Sequence, residues 1–340
     1  MSATLLGFVA AFALILLRVP IAMALALVGL AGLVLLGGLS PALAASAMAA
    51  KANTMAYTLS VLPLFVLMGN LVAGAGVSGR LFQAAQLLVG RRRGGVAMAT
   101  VLACGGFGAI CGSSVATAAT MSRVAVPAMR EIGYADKLAA ATVAAGGTLG
   151  ILIPPSVIMV VYGVGTQTHI GKLFAAGIVP GVIAVAGYML AVRWVAWRHP
   201  GSVPAASTRK PADVAGTLRG LWPVALLFGL VMGGIYGGWF TATEAAGIGA
   251  AGALAYALTR HSLGWRQIRE ILEDTALTSA GIFALVLGAA IFADFVNLTD
   301  LHKSLLDLVN ASGVPPFGLI LIIVAIYNVL GSVLESLSII

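Results

Sequence analysis

Charged residues are scarce in this chain. Only 9% of its 340 residues are Asp, Glu, Lys or Arg, whereas soluble domains carry about 25%. Hydrophobic residues make up 60%, and the mean hydropathy is +1.06. These values exclude an ordinary water-soluble domain and indicate a chain solvated mainly by lipid. The net charge of +8 does not indicate a nucleic-acid partner, because the basic residues lie in short loops between apolar runs, as the positive-inside rule expects.

Groups that bind metals or hydrolyse ATP are also few. The two cysteines, Cys104 and Cys111, lie in one apolar segment without partners for a disulfide or a metal, so we expect them to pack. No GxxxxGK[ST] sequence occurs, which disfavours an ATP-driven pump. The first apolar run follows no basic residue and has no small-residue cleavage site. It therefore predicts a first membrane helix rather than a removed signal peptide.

Long apolar runs dominate what is present. A membrane-spanning helix needs about 20 apolar residues. The sequence predicts an all-α polytopic membrane protein with segments of spanning or near-spanning length at 2–17, 20–37, 61–76, 138–165, 178–197, 221–238, 241–259 and 276–297. The stretch 199–219, rich in Pro, Ser and charge, is the one clear linker and is predicted to be cytoplasmic.

Two of the apolar stretches are interrupted where a membrane helix should continue. They read GGFGAICGSSVATAAT at 105–120 and AAGGTLGILIPPS at 144–156. Glycine, hydroxyl residues and a proline pair leave backbone N–H and C=O groups unpaired, which a membrane tolerates only inside protein or beside a watery cavity. Paired breaks of this kind indicate the substrate and ion site of a secondary transporter.

The distribution of arginines predicts how the first of these stretches lies. A single crossing by 94–130 would put the basic 198–219 loop on the wrong side of the membrane. A re-entrant hairpin that turns at Gly112, Ser113 and Ser114 keeps every basic loop inside. We therefore expect a re-entrant hairpin over about 94–130.

The two sides of the linker then resemble inverted repeats. Residues 1–198 hold three spans, a surface helix at 77–90, the hairpin, the broken span 138–165 and the span 178–197. Residues 220–340 hold three spans, a surface helix at 298–309 and the start of a second hairpin, at an offset of about 220 residues. A counterpart of Pro154-Pro155 would fall beyond Ile340. We therefore expect an incomplete second repeat, and either a C-terminally truncated chain or a remainder supplied elsewhere.

Several stretches resemble the large membrane subunit of tripartite ATP-independent periplasmic (TRAP) transporters. The matching sequences include GGVAMATVLACGGFGAICGSSVATAAT at 94–120, TVAAGGTLGILIPPSVIMVVYG at 142–163, GGWFTATEAAGIGA at 237–250 and LGSVLESLSII at 330–340. The resemblance implies an elevator-type permease of the bacterial inner membrane that imports a small organic acid with sodium. It also implies a small four-helix membrane subunit and a periplasmic substrate-binding protein as partners. Two departures are the missing second proline-broken span and Glu335, where the family usually has aspartate.

Oxygen-bearing residues at the breaks are the candidates for the site. Sodium prefers oxygen ligands, and freed carbonyls and hydroxyls can supply them. We expect sodium near Gly112, Ser113, Ser114, Gly147 and Thr148, and no other cofactor. A carboxylate of the dicarboxylate or sugar-acid class is expected to meet hydroxyls and helix N-termini. Its candidate binding residues are Ser113, Ser114, Thr117, Pro154, Pro155, Ser156, Glu335 and Ser336.

The sequence leaves alternatives to transport open. Glu244 is a functional candidate because it lies in an apolar run, but a capping role beside Thr241 or Thr243 is slightly favoured. An intramembrane serine hydrolase using Ser113 or Ser114 lacks a nearby base, since all four histidines lie in polar loops. A non-transporting fragment or assembly subunit differs from the permease in activity rather than in fold.

Overall fold

The computed structural model describes residues 2–204, 214–260 and 263–333, and these ranges contain helices and no strand. The helices are α1 (Ser2–Leu16), α2 (Ile21–Gly37), α3 (Leu39–Thr54), α4 (Val61–Gly74), α5 (Val77–Val89), α6 (Gly95–Cys111), α7 (Ser114–Glu131), α8 (Asp136–Leu152), α9 (Val157–Gly165), α10 (Ile170–Arg198), α11 (Val214–Tyr236), α12 (Ala242–Thr259), α13 (Trp265–Leu298), α14 (Leu301–Ser312) and α15 (Pro316–Val333). The predicted all-α class is confirmed.

Hydropathy located most helices but missed one and shortened two. Helix α3 was not predicted, because its alanine-rich sequence is a good helix former yet only weakly apolar. Helices α10 and α13 begin at Ile170 and Trp265, two to three turns before the predicted apolar segments. The early turns of α13 are polar and carry ion pairs from Arg266 to Glu270 and from Arg269 to Glu273, which favour helix in water.

Several helices can cross a membrane. Within the described residues, three helical segments are long and apolar enough: Tyr57–Gly74, Ile170–Arg198 and Trp265–Leu298. Helices α8 and α9 together make a fourth, bent by 40° at their junction. Helices α1, α2, α6, α15 and the Gly220–Tyr236 part of α11 are apolar but shorter. This composition is that of a multi-pass membrane protein.

The chain divides into two compact units. Unit 1 comprises Met1–Tyr57 and Thr278–Ile340, and unit 2 comprises Thr58–Leu277. The two boundaries, at 58 and at 278, are 220 residues apart, which is the offset expected between the repeats. Each unit therefore takes its helices from both sides of the linker, although the repeats themselves stay a prediction.

Unit 1 is built around aromatic rings from the end of α13. Phe292 and Phe295 are buried together with Ala11 and Leu33. The Phe295 ring lies so close to α1 and α2 that a Cβ on Gly7 would come within 2.5 Å of it. At the same end, the Thr4 hydroxyl donates a 2.7 Å hydrogen bond to the hydroxyl of Thr299. Small residues thus let these helices pack closely.

Unit 2 is built around α6. Every residue of α6 except Leu102 and Gly106 is buried, as expected for a helix that is apolar on all sides. Helices α4, α5, α7, α8 and α10 pack against it. Cys104 and Cys111 are buried and free, so the expectation that they pack is confirmed. The central position of α6 places its C-terminal end deep inside unit 2.

Candidate functional site

The C-terminal end of α6 and the start of α7 form a tight hairpin tip. Gly112 adopts the left-handed conformation (φ 66°), and its N–H donates to Gly108 O at 2.8 Å. Ser113 is extended, and its hydroxyl accepts a 3.3 Å hydrogen bond from Ala116 N, which caps α7. The predicted turn at Gly112–Ser114 is therefore confirmed as the junction of two packed helices. That the hairpin is re-entrant in a membrane stays a prediction.

A second break separates α8 from α9. It spans residues 153–156, and Pro154, Pro155 and Ser156 are all buried. Proline has no N–H with which to continue the helical ladder. The Ser156 hydroxyl caps α9 by accepting from Met159 N at 3.4 Å, and it donates to Ile151 O at 2.7 Å. Ser156 thus joins the end of one half-helix to the start of the next.

The hairpin tip and the proline break touch each other. Val157 N–H, at the start of α9, donates to Gly112 O at 3.2 Å. A Cβ on Gly112 would lie 2.8 Å from Pro155 O, so no larger residue fits there without a shift. Glycine is required at position 112 both for its backbone angle and for this approach. The two interrupted stretches seen in the sequence are therefore one site.

Beside this junction, two oxygen atoms converge on Gly150. A Cβ on Gly150 would lie 2.7 Å from Ser113 O and 2.7 Å from Thr117 Oγ1. The Thr117 side chain is completely buried, and its hydroxyl has no hydrogen-bond partner. The Cys111 thiol is near enough to interact with it electrostatically, but it does not satisfy hydrogen-bond geometry. We call this point, where Ser113 O and Thr117 Oγ1 lie too close to Gly150 for any side chain, the Gly150 notch.

Gly147 of α8 lies beside a further backbone oxygen, that of Ser114. A Cβ on Gly147 would lie 3.2 Å from Ser114 O and 2.7 Å from the Ala118 Cβ. The structure therefore brings together these sequence-predicted residues: Gly112, Ser113, Ser114, Thr117, Gly147, Pro154, Pro155 and Ser156. Predicted Glu335 and Ser336 lie outside the described residues.

The side chain of Thr148 has other neighbours. Its hydroxyl donates to Ala145 O at 2.7 Å and lies 3.0 Å from the Tyr188 hydroxyl on α10. Since the Thr148 proton is used on Ala145, Tyr188 is the donor of the second bond. Thr148 is also exposed, unlike Thr117. The Thr148 hydroxyl thus contacts α10, whereas the adjacent Gly147 contacts the hairpin.

Helix ends supply the electrostatics of this site. No Asp, Glu, Lys or Arg occurs in 105–120 or 144–160. The C-terminal ends of α6 and α8 carry partial negative charge, and the N-terminal ends of α7 and α9 carry partial positive charge. The described residues contain no cluster of three or more His, Cys, Asp or Glu that could hold a metal ion. Any ion held at the junction would therefore be bound by carbonyl and hydroxyl oxygens.

Glu244 is part of a helix cap. Thr241 begins α12, and its hydroxyl accepts from Glu244 N at 3.3 Å. In return, the Glu244 carboxylate accepts from Thr241 N at 2.8 Å, which completes a capping box. The capping interpretation of Glu244 is confirmed.

Sequence reasoning missed Gly69 and Asn70 on α4. A Cβ on Gly69 would lie 2.9 Å from the Cys111 Cα, so α4 passes directly beside the hairpin tip. The neighbouring Asn70 amide donates to Thr275 Oγ1 at 3.1 Å. An amide side chain inside the apolar run VLPLFVLMGNLVAG was the available signal, since polar residues within membrane segments are functional candidates by default.

Buried half-helices that meet end to end in a multi-pass membrane protein are typical of membrane transport proteins. Comparison of the sequence with known families agrees. Residues 8–340 match the family described as the tripartite ATP-independent periplasmic transporter, DctM component, and the chain belongs to this family.

Curated relatives carry the names of transporter permeases. A C4-dicarboxylate TRAP transporter large permease protein of Pseudomonas aeruginosa is 35% identical over 286 residues, covering 84% of this chain and 66% of the relative. A sialic acid TRAP transporter large permease protein of Vibrio cholerae is 32% identical, covering 94% and 74%. An isethionate TRAP transporter permease protein of Oleidesulfovibrio alaskensis is 31% identical, covering 98% and 52%. The chain thus spans about half to three quarters of the length of these relatives, which are transport subunits and not enzymes.

Proposed function

We propose that this chain forms the ion- and substrate-binding part of a sodium-driven importer of small organic acids. It works in the bacterial inner membrane by elevator-type alternating access. Family membership supports transport, and two of the relatives are named for a C4-dicarboxylate and for sialic acid. The observation that carries the proposal is the Gly150 notch, where a buried hydroxyl without a partner meets a carbonyl oxygen.

The notch suits a sodium ion. A buried hydroxyl without a partner costs about 1–3 kcal/mol, so a ligand that satisfies it is favoured. Thr117 Oγ1 and Ser113 O are both hard oxygen atoms, and Ser113 O retains a lone pair after accepting from Thr117 N at 3.1 Å. The C-terminal end of α8, which contains Gly150, adds partial negative charge. We assign sodium to this notch, with Gly112, Ser114 and Gly147 shaping its walls.

The substrate carboxylate binds at the same junction, at the helix ends that carry partial positive charge. Helices α7 and α9 both direct their N-terminal ends to it, where a negative charge is favoured. Ser113 and Ser114 are half-buried and so reachable from a cavity, whereas Ser156 and the two prolines shape the buried side. Glu335 and Ser336, which lie outside the described residues, stay sequence-predicted contributors to substrate binding.

Two partners complete the proposed transporter. Relatives named large permease proteins imply a smaller companion, which we assign as a four-helix membrane subunit. A periplasmic binding protein, implied by the family description, delivers the organic acid.

Sodium-dependent thermal unfolding of the purified chain tests this proposal. The wild-type chain is expected to melt at a higher temperature in NaCl than in KCl of equal ionic strength, because sodium binds only the folded state. Gly150→Ala should remove this difference, since its Cβ would occupy the notch. Gly187→Ala, where a Cβ meets nothing within 4 Å, is the matched control and should retain it.

Two results would contradict the proposal. Equal melting temperatures of the wild-type chain in NaCl and KCl would remove sodium from the site. Retention of the sodium effect by Gly150→Ala would mean that the notch is not where sodium binds. In saturating sodium, added succinate or N-acetylneuraminate should raise the melting temperature further if the substrate class is correct.

A further inference from the structure

Arginines from two distant parts of the chain meet at one end of unit 2. The turn before α6 contains Arg91, Arg92 and Arg93, and the last turns of α10 contain Arg193 and Arg198. We call these five residues the basic edge. Gly94 brings the two parts together, because a Cβ there would lie only 3.1 Å from the Ala196 Cβ. The left-handed backbone of Gly94 (φ 76°) is the turn that makes this approach.

A direct bond and a shared core hold the edge together. The Arg93 guanidinium donates to Pro200 O at 3.2 Å, just beyond the end of α10. Val96 and Ala97 of α6 are buried in the same core as Val192 and Ala196 of α10. The position of these arginines is therefore fixed by the backbone, although their side chains are exposed.

The basic edge has an excess of positive charge. None of the ion pairs found in the described part of the chain involves its five arginines. The adjoining corner between α7 and α8 contributes Glu131 and Asp136, and Asp136 is paired with Arg130 at 2.6 Å. A guanidinium carries five N–H donors, so most donors of the edge remain available to a ligand.

Exposed tryptophans indicate the level in the membrane at which the basic edge lies. Trp194 and Trp197 lie between Arg193 and Arg198 on α10, and their side chains are 60% and 75% exposed. Tryptophan is enriched at the level of lipid headgroups, where its ring is partly in hydrocarbon and its N–H meets water. We therefore expect the neighbouring arginines to lie at the level of the lipid phosphate groups.

We propose that the basic edge binds the headgroup of an anionic phospholipid. Arginine pairs with phosphate oxygens through two parallel N–H donors, and basic pockets between membrane helices bind acidic headgroups. The positive-inside rule accounts for basic residues on this side of the membrane, but it does not require Arg91–Arg93 and Arg198 to converge. The phosphodiester of the lipid bridges the two parts of the edge, while its acyl chains lie beside the exposed tryptophans.

Lipid retention by the full chain tests the proposal. The wild-type chain in detergent is mixed with equal amounts of dioleoyl-phosphatidylglycerol and dioleoyl-phosphatidylcholine, and bound lipids are counted by native mass spectrometry. Wild type should retain phosphatidylglycerol preferentially. Arg91→Gln with Arg92→Gln should lower this preference about fivefold for each arginine removed. The matched control is Arg266→Gln with Arg269→Gln, which removes two arginines that are already ion-paired, and it should change the preference less than about twofold.

Three results would overturn the proposal. Equal retention of both lipids by the wild-type chain would mean that no acidic headgroup is recognised. An equal loss in the two double variants would show that total charge, not the edge, attracts the lipid. Displacement of phosphatidylglycerol by millimolar inorganic phosphate would indicate a site for a soluble anion instead. If the first double variant does not fold, Arg193→Gln with Arg198→Gln removes the other half of the edge and should give the same loss.

Discussion

Thr117→Val is expected to stabilise the chain without sodium and to abolish the benefit of sodium. Valine has the shape of threonine but replaces the hydroxyl by a methyl group. The Thr117 hydroxyl is buried without a partner, so its removal relieves the desolvation penalty of about 1–3 kcal/mol that an unpaired polar group carries. Burial of the added methyl group contributes about 0.8 kcal/mol more.

The advantage of the valine variant falls once sodium is bound to the wild-type chain. At a sodium concentration about 100-fold above the dissociation constant, binding adds about 2.7 kcal/mol to wild-type stability. The valine variant has lost one of the two oxygens of the notch and should gain far less. We therefore expect the variant to be more stable than wild type in KCl, and this advantage to shrink or reverse in NaCl.

Unfolding of both proteins in matched NaCl and KCl buffers measures this crossover. Thr100→Val is the control, because Thr100 is also completely buried but its hydroxyl donates to Val96 O at 2.9 Å. That variant should be slightly less stable than wild type in both salts, by about 0.5–1.5 kcal/mol. If Thr117→Val were destabilising in KCl, or if it kept the full sodium gain, the Thr117 hydroxyl would not be an unsatisfied group that sodium binds.

Three further substitutions test other parts of the site. Gly112→Ala should lower the free energy of unfolding by roughly 1–2 kcal/mol because of its left-handed backbone, and further because its Cβ would contact Pro155 O. Gly313→Ala, whose Cβ would meet nothing within 4 Å, should show only the backbone part. Equal losses in unfolding experiments would contradict the contact. Thr148→Val should leave the sodium-dependent rise in melting temperature unchanged, because the Thr148 hydroxyl bonds Tyr188. If the variant lost this rise, the Thr148 hydroxyl would be one of the sodium ligands. Thr241→Ala should lower the free energy of unfolding by about 1 kcal/mol through loss of the α12 cap. Thr259→Ala, at the other end of α12, is the control and should have a smaller effect. Equal effects of the two substitutions would argue against the capping box.

Local chemistry explains why the breaks could be predicted from sequence. Proline removes a backbone donor and glycine permits a left-handed turn wherever they occur, so Pro154-Pro155 and Gly112 interrupt their helices without help from distant residues. Capping is equally local, since Thr241 and Glu244 are three residues apart. These features were therefore predicted at the residues where the structure has them.

Other features depended on context that a pattern of apolar residues does not contain. The alanine-rich α3 is helical because of its propensity, and the polar start of α13 is helical because of its ion pairs, and hydropathy ignores both. The predicted role of Thr148 rested on its closeness in sequence to the break. In the fold, one step along α8 turns a side chain by about 100°, so Gly147 meets the hairpin and Thr148 meets α10.

The amino-acid sequence alone identifies a helical membrane transporter subunit and the residues where its helices break. That the two breaks form one site follows from the fold, because the packing of α6 against α8 brings residues 112 and 157 together. The fold also buries the Thr117 hydroxyl without a partner, whereas the neighbouring Ser113 and Ser114 are only half-buried. Whether a hydroxyl finds a partner depends on which helices surround it, and that information is present only after the chain has packed.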